Sequence, residues 1–362
     1  MEVPQGLAVD NPGLVCKLNK SLYGLKQASR QLYAKLTEAL CSRGYAHSMY
    51  DYSLFYKKSE HSSVYIAVYV DDIVVIGTDI METTDLKTFL NNNFTIKDLG
   101  RLYYFLGLEV LYKDDGVIIS QRKFTLDLLK EYQCMDHSSI NSPLDPTVKL
   151  KAKEGERLTD PTYYKKLIGK FNFLTNTRLY IAYSVQHLSQ FMDDPREPHL
   201  TAAFHLLRYL KGDPTLGIFL SKDQDYTIRA YCDSDWAACP DSRKSVSGYL
   251  VLMGSSPVSW KSKKQDTISL SSAEAEYRAL RKVVGELVWL NRLFEELIAP
   301  FSKPIDVLCD SQSAMHITRN PVFHERTKHI EVDCHFVRSK LQEGLISLHH
   351  VGTTDQLVDI LT

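Results

Sequence analysis

The stretch from Val64 to Gly77 constrains this chain most: Val-Tyr-Ile-Ala-Val-Tyr-Val-Asp-Asp-Ile-Val-Val-Ile-Gly. Two β-branched and aromatic runs flank an acidic centre, which predicts a buried β-hairpin with Asp71 and Asp72 at or beside its turn. Two adjacent carboxylates there have two readings. Asp-Asp is good turn chemistry, and clustered carboxylates are also what a two-metal phosphoryl-transfer site requires.

A chain of 362 residues can build two or three cores, and its 44% hydrophobic, 24% charged balance is that of a globular protein. No apolar run is long enough to span a bilayer and no signal-peptide pattern opens the chain, so an intracellular, cytoplasmic protein with no membrane partner is expected. The cysteines at 16, 41, 134, 232, 239, 309 and 334 are odd in number and form no CxxC pair. Neither a disulfide framework nor a zinc ribbon is indicated. The net charge of −1 gives no global sign of nucleic-acid binding, but a groove needs positive potential only along its own length.

Along the chain, the residues up to Leu40 suggest a helix with Leu32, Leu36, Ala39 and Leu40 on one side, and Met81 to Asn92 and Gln121 to Tyr132 suggest two more. Gly100 and Gly107 punctuate strands, as close backbone approach requires. Ser138 to Glu156, rich in Ser, Pro, Asp and Lys, is the expected linker, and Tyr163 to Tyr209 is helical and apolar-periodic.

The last third predicts a meander of three strands from alternation, Thr227 to Asp233, Gly248 to Met253 and Val258 to Lys261. Ser271-Ser-Ala-Glu274 is a capping box opening a long helix. Glu276 shares its helical face with Leu280, Val283, Leu287 and Leu290, so it sits at the end of a buried stripe, where a carboxylate costs free energy unless paired or metal-bound. Ile305 to Asp310 is another strand ending in an acid before a helix near Ser311. Gly344 to Val351 is a fifth strand, and Thr353 to Gln356 is expected to cap a final helix carrying Asp359. Four elements thus each present one acid: Asp233, Glu276, Asp310 and Asp359. Asp235 shares a face with Asp233 and stands outside the core set.

Several passages resemble the copia-type branch of LTR retrotransposon Pol polyproteins, over nearly the whole chain. Tyr69-Val70-Asp71-Asp72 resembles the reverse-transcriptase signature, and Leu22-Tyr-Gly-Leu-Lys-Gln-Ala28 the segment that the family places beside template and nucleotide. Ser29 and Leu32 depart from the family's Pro and Trp, and Leu179-Tyr180 from its Pro-Asp. Tyr231-Cys-Asp-Ser-Asp-Trp-Ala, Ser271-Ser-Ala-Glu-Ala-Glu-Tyr, Leu308-Cys-Asp-Ser-Gln-Ser-Ala and Gln356-Leu-Val-Asp-Ile-Leu-Thr resemble ribonuclease H. The resemblance implies an α+β chain: a partial reverse-transcriptase palm and thumb over 1–137, a linker and helical connection over 138–220, and a ribonuclease H-like domain over 221–362 with a five-stranded mixed sheet and helices.

It further implies that Asp71 and Asp72, and separately Asp233, Glu276, Asp310 and Asp359, hold Mg²⁺, with Mn²⁺ as the alternative. Tyr69, Gly24, Lys26 and Gln27 would meet template-primer nucleic acid, and Lys263, Lys264, Arg326 and Lys328 the backbone of an RNA/DNA hybrid. His324, His329 and His335 match no common zinc spacing. In the family a further catalytic Asp precedes text resembling Met1 to Leu7, so little DNA synthesis is expected of this chain alone. The rest of a Pol polyprotein is an expected partner, and a virus-like particle or the nucleus an alternative location. The family commonly continues with Lys after Thr362, so Asp359 is expected to be poorly anchored. A non-catalytic remnant that only binds nucleic acid is the alternative function.

Overall fold

The structure, a computed structural model, describes residues 15, 17, 25, 27–297, 299, 301–319 and 331–362. The chain divides into two compact units, Met1–Gly100 and Arg101–Thr362. In the first, helix α1 (Ala28–Ser42) precedes strands β1 (Ala46–His47), β2 (Leu54–Lys58), β3 (Ser63–Tyr69) and β4 (Asp72–Gly77), and helix α2 (Ile80–Phe94) follows. The strands form one antiparallel sheet in sequence order. Alternation along β3 buries Val64, Ile66 and Val68 against Leu36 and Leu40 of α1 and Leu86 and Leu90 of α2. Leu32 stays exposed, so the buried stripe of α1 is shorter than its spacing suggests. Asp79 caps α2 by accepting from the Glu82 N–H at 3.0 Å.

The second unit begins with β5 (Tyr104–Phe105), β6 (Leu108–Lys113) and β7 (Gly116–Ser120), then α3 (Arg122–Glu131), α4 (Pro161–Leu174), α5 (Ala182–Ser189), α6 (Glu197–Gly212) and β8 (Gly217–Ser221), which returns to pair with β7. Helices α3 to α6 enclose Leu129, Tyr164, Leu167, Phe171, Leu188 and Leu206. The buried Tyr164 hydroxyl donates to the Leu188 carbonyl at 2.8 Å.

The expected linker from Ser138 to Glu156 has no helix or strand, but α6 pins it along its length. Arg208 Nε donates to the Ser138 carbonyl at 2.9 Å, His205 Nε2 lies 3.1 Å from the Ser142 carbonyl, His199 Nε2 lies 3.0 Å from that of Lys151, and Leu150 is buried. At the departure from the family's Pro-Asp, Leu179–Ile181 forms a 3₁₀ turn behind Arg178. That buried guanidinium donates to the carbonyls of Asp213 and Pro214 at 2.9 and 2.7 Å, and burial pushes its pKa down.

The C-terminal part contains β9 (Ile228–Asp235), β10 (Val246–Met253), β11 (Ser256–Lys264), α7 (Ser272–Glu296), β12 (Ile305–Cys309), α8 (Gln312–Arg319), α9 (Glu331–Gln342) and β13 (Ile346–His350). Its five-stranded mixed sheet has the order β11-β10-β9-β12-β13, antiparallel in the meander and parallel across β9, β12 and β13. The fold class is α+β, as the family resemblance implies. The final helix is not formed: the segment makes two 3₁₀ turns, Thr353–Asp355 and Asp359–Leu361. Tertiary anchors override the capping signal there. Gln356 Nε2 donates to the Cys232 carbonyl at 3.0 Å, and Val358 and Leu361 are fully buried against Leu250. Asp359 is therefore held from both sides, contrary to the expectation of poor anchoring. Among the described residues no helix is long and apolar enough to cross a membrane.

Gly107 meets the expectation of close approach: φ is +80°, and a Cβ would stand 2.7 Å from Phe173 Cζ. Gly100 does not, since its φ of +78° serves a turn with nothing within 4 Å. Gly107→Ala is expected to destabilise the protein by about 1–3 kcal/mol in urea unfolding, with Phe173→Ala in the same chain recovering the contact part of that loss but not the backbone part. A neutral Gly107→Ala would refute the close-approach assignment.

Candidate functional site

The parallel pairing of β12 with β9 sets Cys309 opposite Cys232, so the next residue on each strand, Asp310 and Asp233, emerge side by side at the sheet's end. Helix α7 brings the third acid. Ser271 Oγ accepts from the Glu274 N–H at 3.2 Å, and Glu274 Oε2 accepts from the Leu270 N–H at 2.8 Å, which fixes the helix start. Two residues on, Glu276 is buried against β9.

Glu276 Oε1 accepts from the Ser234 N–H at 3.3 Å, while Oε2 has no hydrogen-bond partner among the described residues. The residue is only 9% exposed. Burial above all, then Asp233, Cys309 and Asp310, push its pKa up to about 10.

The fourth acid comes from the last turn. Thr362 Oγ1 donates to Asp233 Oδ2 at 2.5 Å, and burial and Asp233 raise the pKa of Asp359. Room for this turn comes from Gly248, the cross-strand partner of Asp233. A Cβ there would meet Val358, Leu361 and Thr362 at 2.7–2.9 Å. Asp310 is raised by burial and then by Asp233, with Asp359 adding to the effect and His350 opposing it. Asp235, also raised by burial and Asp233, stands beside the cluster.

The structure thus brings together Asp233, Glu276, Asp310 and Asp359. Asp233 raises the pKa of the other three acids, and one of these, Glu276, has a buried oxygen with no hydrogen-bond partner among the described residues. Hard oxygen donors of this kind suit a divalent cation. Glu276, Cys309 and Asp310 each offer a ligand atom within 4.8 Å of the others. Cys309 is absent from the sequence reading because its alternation with Ile305 and Val307 marks it as core, which it also is. Gln265 escapes the sequence reading as well. Fully buried, its amide nitrogen lies 3.2 Å from Ser234 Oγ, 2.9 Å from Ser247 Oγ and 3.0 Å from the Ala275 carbonyl, tying β9, β10 and α7 at the site. His350 Nε2 lies 3.1 Å from the Asp310 carbonyl.

In the first unit, Tyr69 pairs with Asp72 and leaves Val70 and Asp71 as the hairpin turn. Val70 has φ +52°, unusual for a β-branched residue, and Tyr69, Asp71 and Asp72 are exposed. Gln27 is exposed at the start of α1. Gly24, Lys26, Arg326, Lys328, His324 and His329 lie outside the described residues. On β11, Lys263 is exposed. Lys264 is committed internally, donating to Gln190 Oε1 and Cys239 Sγ at 2.8 Å each.

Residues 1–146 match the profile of the reverse transcriptase (RNA-dependent DNA polymerase) family. The whole chain is 42% identical to the retrovirus-related Pol polyprotein from transposon RE1 of Arabidopsis thaliana and spans a quarter (25%) of that protein's length. A putative transposon Ty5-1 protein of Saccharomyces cerevisiae is 30% identical over 76% of this chain and 91% of its own. A solved ribonuclease H1, LC11, in complex with an RNA/DNA hybrid overlays 37% of this chain and 93% of its own at 16% identity and a TM-score of 0.29.

The raised pKa of Glu276 fixes a sign. Its stabilising contribution is complete below the pKa of an exposed glutamate, about 4.3, and is lost as pH rises toward about 10. In chelator, Glu276→Gln is expected to stabilise the protein by roughly 1–3 kcal/mol at about pH 8, and by less at about pH 5. Thermal melts at the two pH values check this; a destabilised variant at both would mean that the carboxylate is paired.

Proposed function

Because this chain belongs to the copia-type family of LTR retrotransposon Pol polyproteins, we propose that residues 221–362 form a ribonuclease H domain that hydrolyses the RNA strand of RNA/DNA hybrids. Residues 1–137 are assigned as part of the polymerase palm and thumb, with Asp71 and Asp72 as its metal-binding acids and Tyr69 beside them, and 138–220 as the helical connection. The observation that carries the hydrolase reading is the clustering of Glu276, Asp310 and Asp359 about Asp233, with a buried Glu276 oxygen that has no hydrogen-bond partner among the described residues.

In this reading the four acids would hold Mg²⁺, which when bound supplies positive charge for the attacked phosphodiester and lowers the pKa of water. The chain's own task is to keep the acids in place before substrate arrives. The Ser234 N–H fixes one oxygen of Glu276 and leaves the other free to face a cation. Thr362 Oγ1 orients Asp233, and Gln265 ties the strands and helix that carry the site. Fixed ligands reduce the reorganisation needed when charge develops in the transition state.

Incubating the purified chain with an end-labelled RNA/DNA hybrid in Mg²⁺ tests the proposal. Cleavage of the RNA strand is expected, with loss on chelation and a fall of roughly 100-fold or more in Asp310→Asn. Binding of the hybrid without cleavage would replace this reading with that of a nucleic-acid-binding remnant.

A further inference from the structure

Helix α7 carries a second charged row. Glu274, Arg278, Lys282 and Glu286 recur every four residues and so share one side of the helix. This row runs beside β11 and the turn after it. Arg278 donates to Thr267 Oγ1 beyond the strand, and Ser259 Oγ donates to Glu286 Oε1 at 2.8 Å. Lys282 lies between these two anchor points, opposite Lys261 and Lys263. The alternate residues of β11 turn the other way: Trp260 Nε1 donates to the Thr175 carbonyl at 3.0 Å and Lys264 to Gln190.

Most of the row is satisfied, since Arg278 pairs with Glu274 at 2.6 Å and Glu286 accepts from Ser259. Lys282 is not. Its Nζ is shielded from water and has no hydrogen-bond partner among the described residues, and Arg278 Nε is in the same condition. Burial pushes the pKa of Lys282 down to about 8; Lys263, Lys261 and Arg278 push the same way, and Asp266 opposes them. An ammonium held among three cations without an acceptor is costly unless an anion completes the group.

We propose that Lys282, with Arg278, Lys261 and Lys263, forms a site for a backbone phosphodiester of nucleic acid. Lys261 and Lys263, exposed on the edge strand, meet the phosphate first, and Lys282, whose Nζ is shielded in its unbound rotamer, turns its flexible side chain outward to donate to the phosphate oxygens, while Arg278 adds charge from the next turn of the helix. The site's purpose, though not its chemistry, rests on the hydrolase reading. Lys282 is six residues from Glu276, about 9 Å along the helix and a third of a turn around it. It therefore grips a phosphate other than the one being cut and sets the register of the duplex.

The full chain in chelator, titrated against a fluorescein-labelled RNA/DNA hybrid over a salt series, tests the site by anisotropy. Lys282→Gln is expected to raise Kd about 3–10-fold and to reduce the slope of log K against log salt by about 1, while Lys282→Arg stays near the wild type. Removing an unpaired buried charge should leave the melting temperature equal or higher, which separates lost affinity from lost fold. An unchanged Kd and slope in Lys282→Gln overturns the proposal, as does a wild type that binds inorganic phosphate but not the hybrid. Because no step of this experiment needs cleavage, a chain that binds the hybrid with the expected slope yet fails to cut it refutes the hydrolase reading alone.

Discussion

The parallel pairing of β9 with β12, Cys232 opposite Cys309, is the contact on which the C-terminal acid cluster depends. Its register places Asp310 beside Asp233, and a slip of one residue would turn one of these acids toward the other face of the sheet. Every other part of the site attaches to this pair. Glu276 docks on the Ser234 N–H, Thr362 on the Asp233 carboxylate, and the final turn fits because the partner of Asp233 on β10 is a glycine. The two cysteines lie buried beneath the acids as small apolar fillers.

Two unpartnered groups of opposite sign mark α7. Glu276 Oε2 has lost water and has no donor among the described residues, and Lys282 Nζ has lost water and has no acceptor among them. Each destabilises the folded chain when nothing is bound, and each is relieved by a ligand of the other charge. Glu276 calls for a cation and Lys282 for an anion. A metal ion and a phosphate group would supply the two.

Where periodicity or a cap decides the local structure, the sequence is a sufficient guide. The alternation of β3 and β9, the cap of Ser271 and the stripe that ends in Glu276 all read directly from residue types and spacing. What escapes it depends on distant partners. Cys309 carries the spacing of a core residue and serves as one, yet its sulfur lies within reach of the acids. Gln265 gives no local signal because its partners lie on three other elements. Ser138 to Glu156 has a linker's composition and no regular structure, but the basic and histidine side chains of α6 hold it down. The capping text before Asp359 forms 3₁₀ turns because Val358 and Leu361 gain more from burial than from another turn of helix.

The bond between Thr362 and Asp233 joins residues 129 positions apart, and that between Gln356 and Cys232 joins residues 124 apart. Closing loops of that length is entropically expensive until the intervening elements have packed. The strands and α7 can therefore assemble while the acid cluster still lacks its fourth member. On this account the last turn is the latest part of the cluster to be fixed, and a chain whose final residues have not docked presents three of the four acids on a finished sheet.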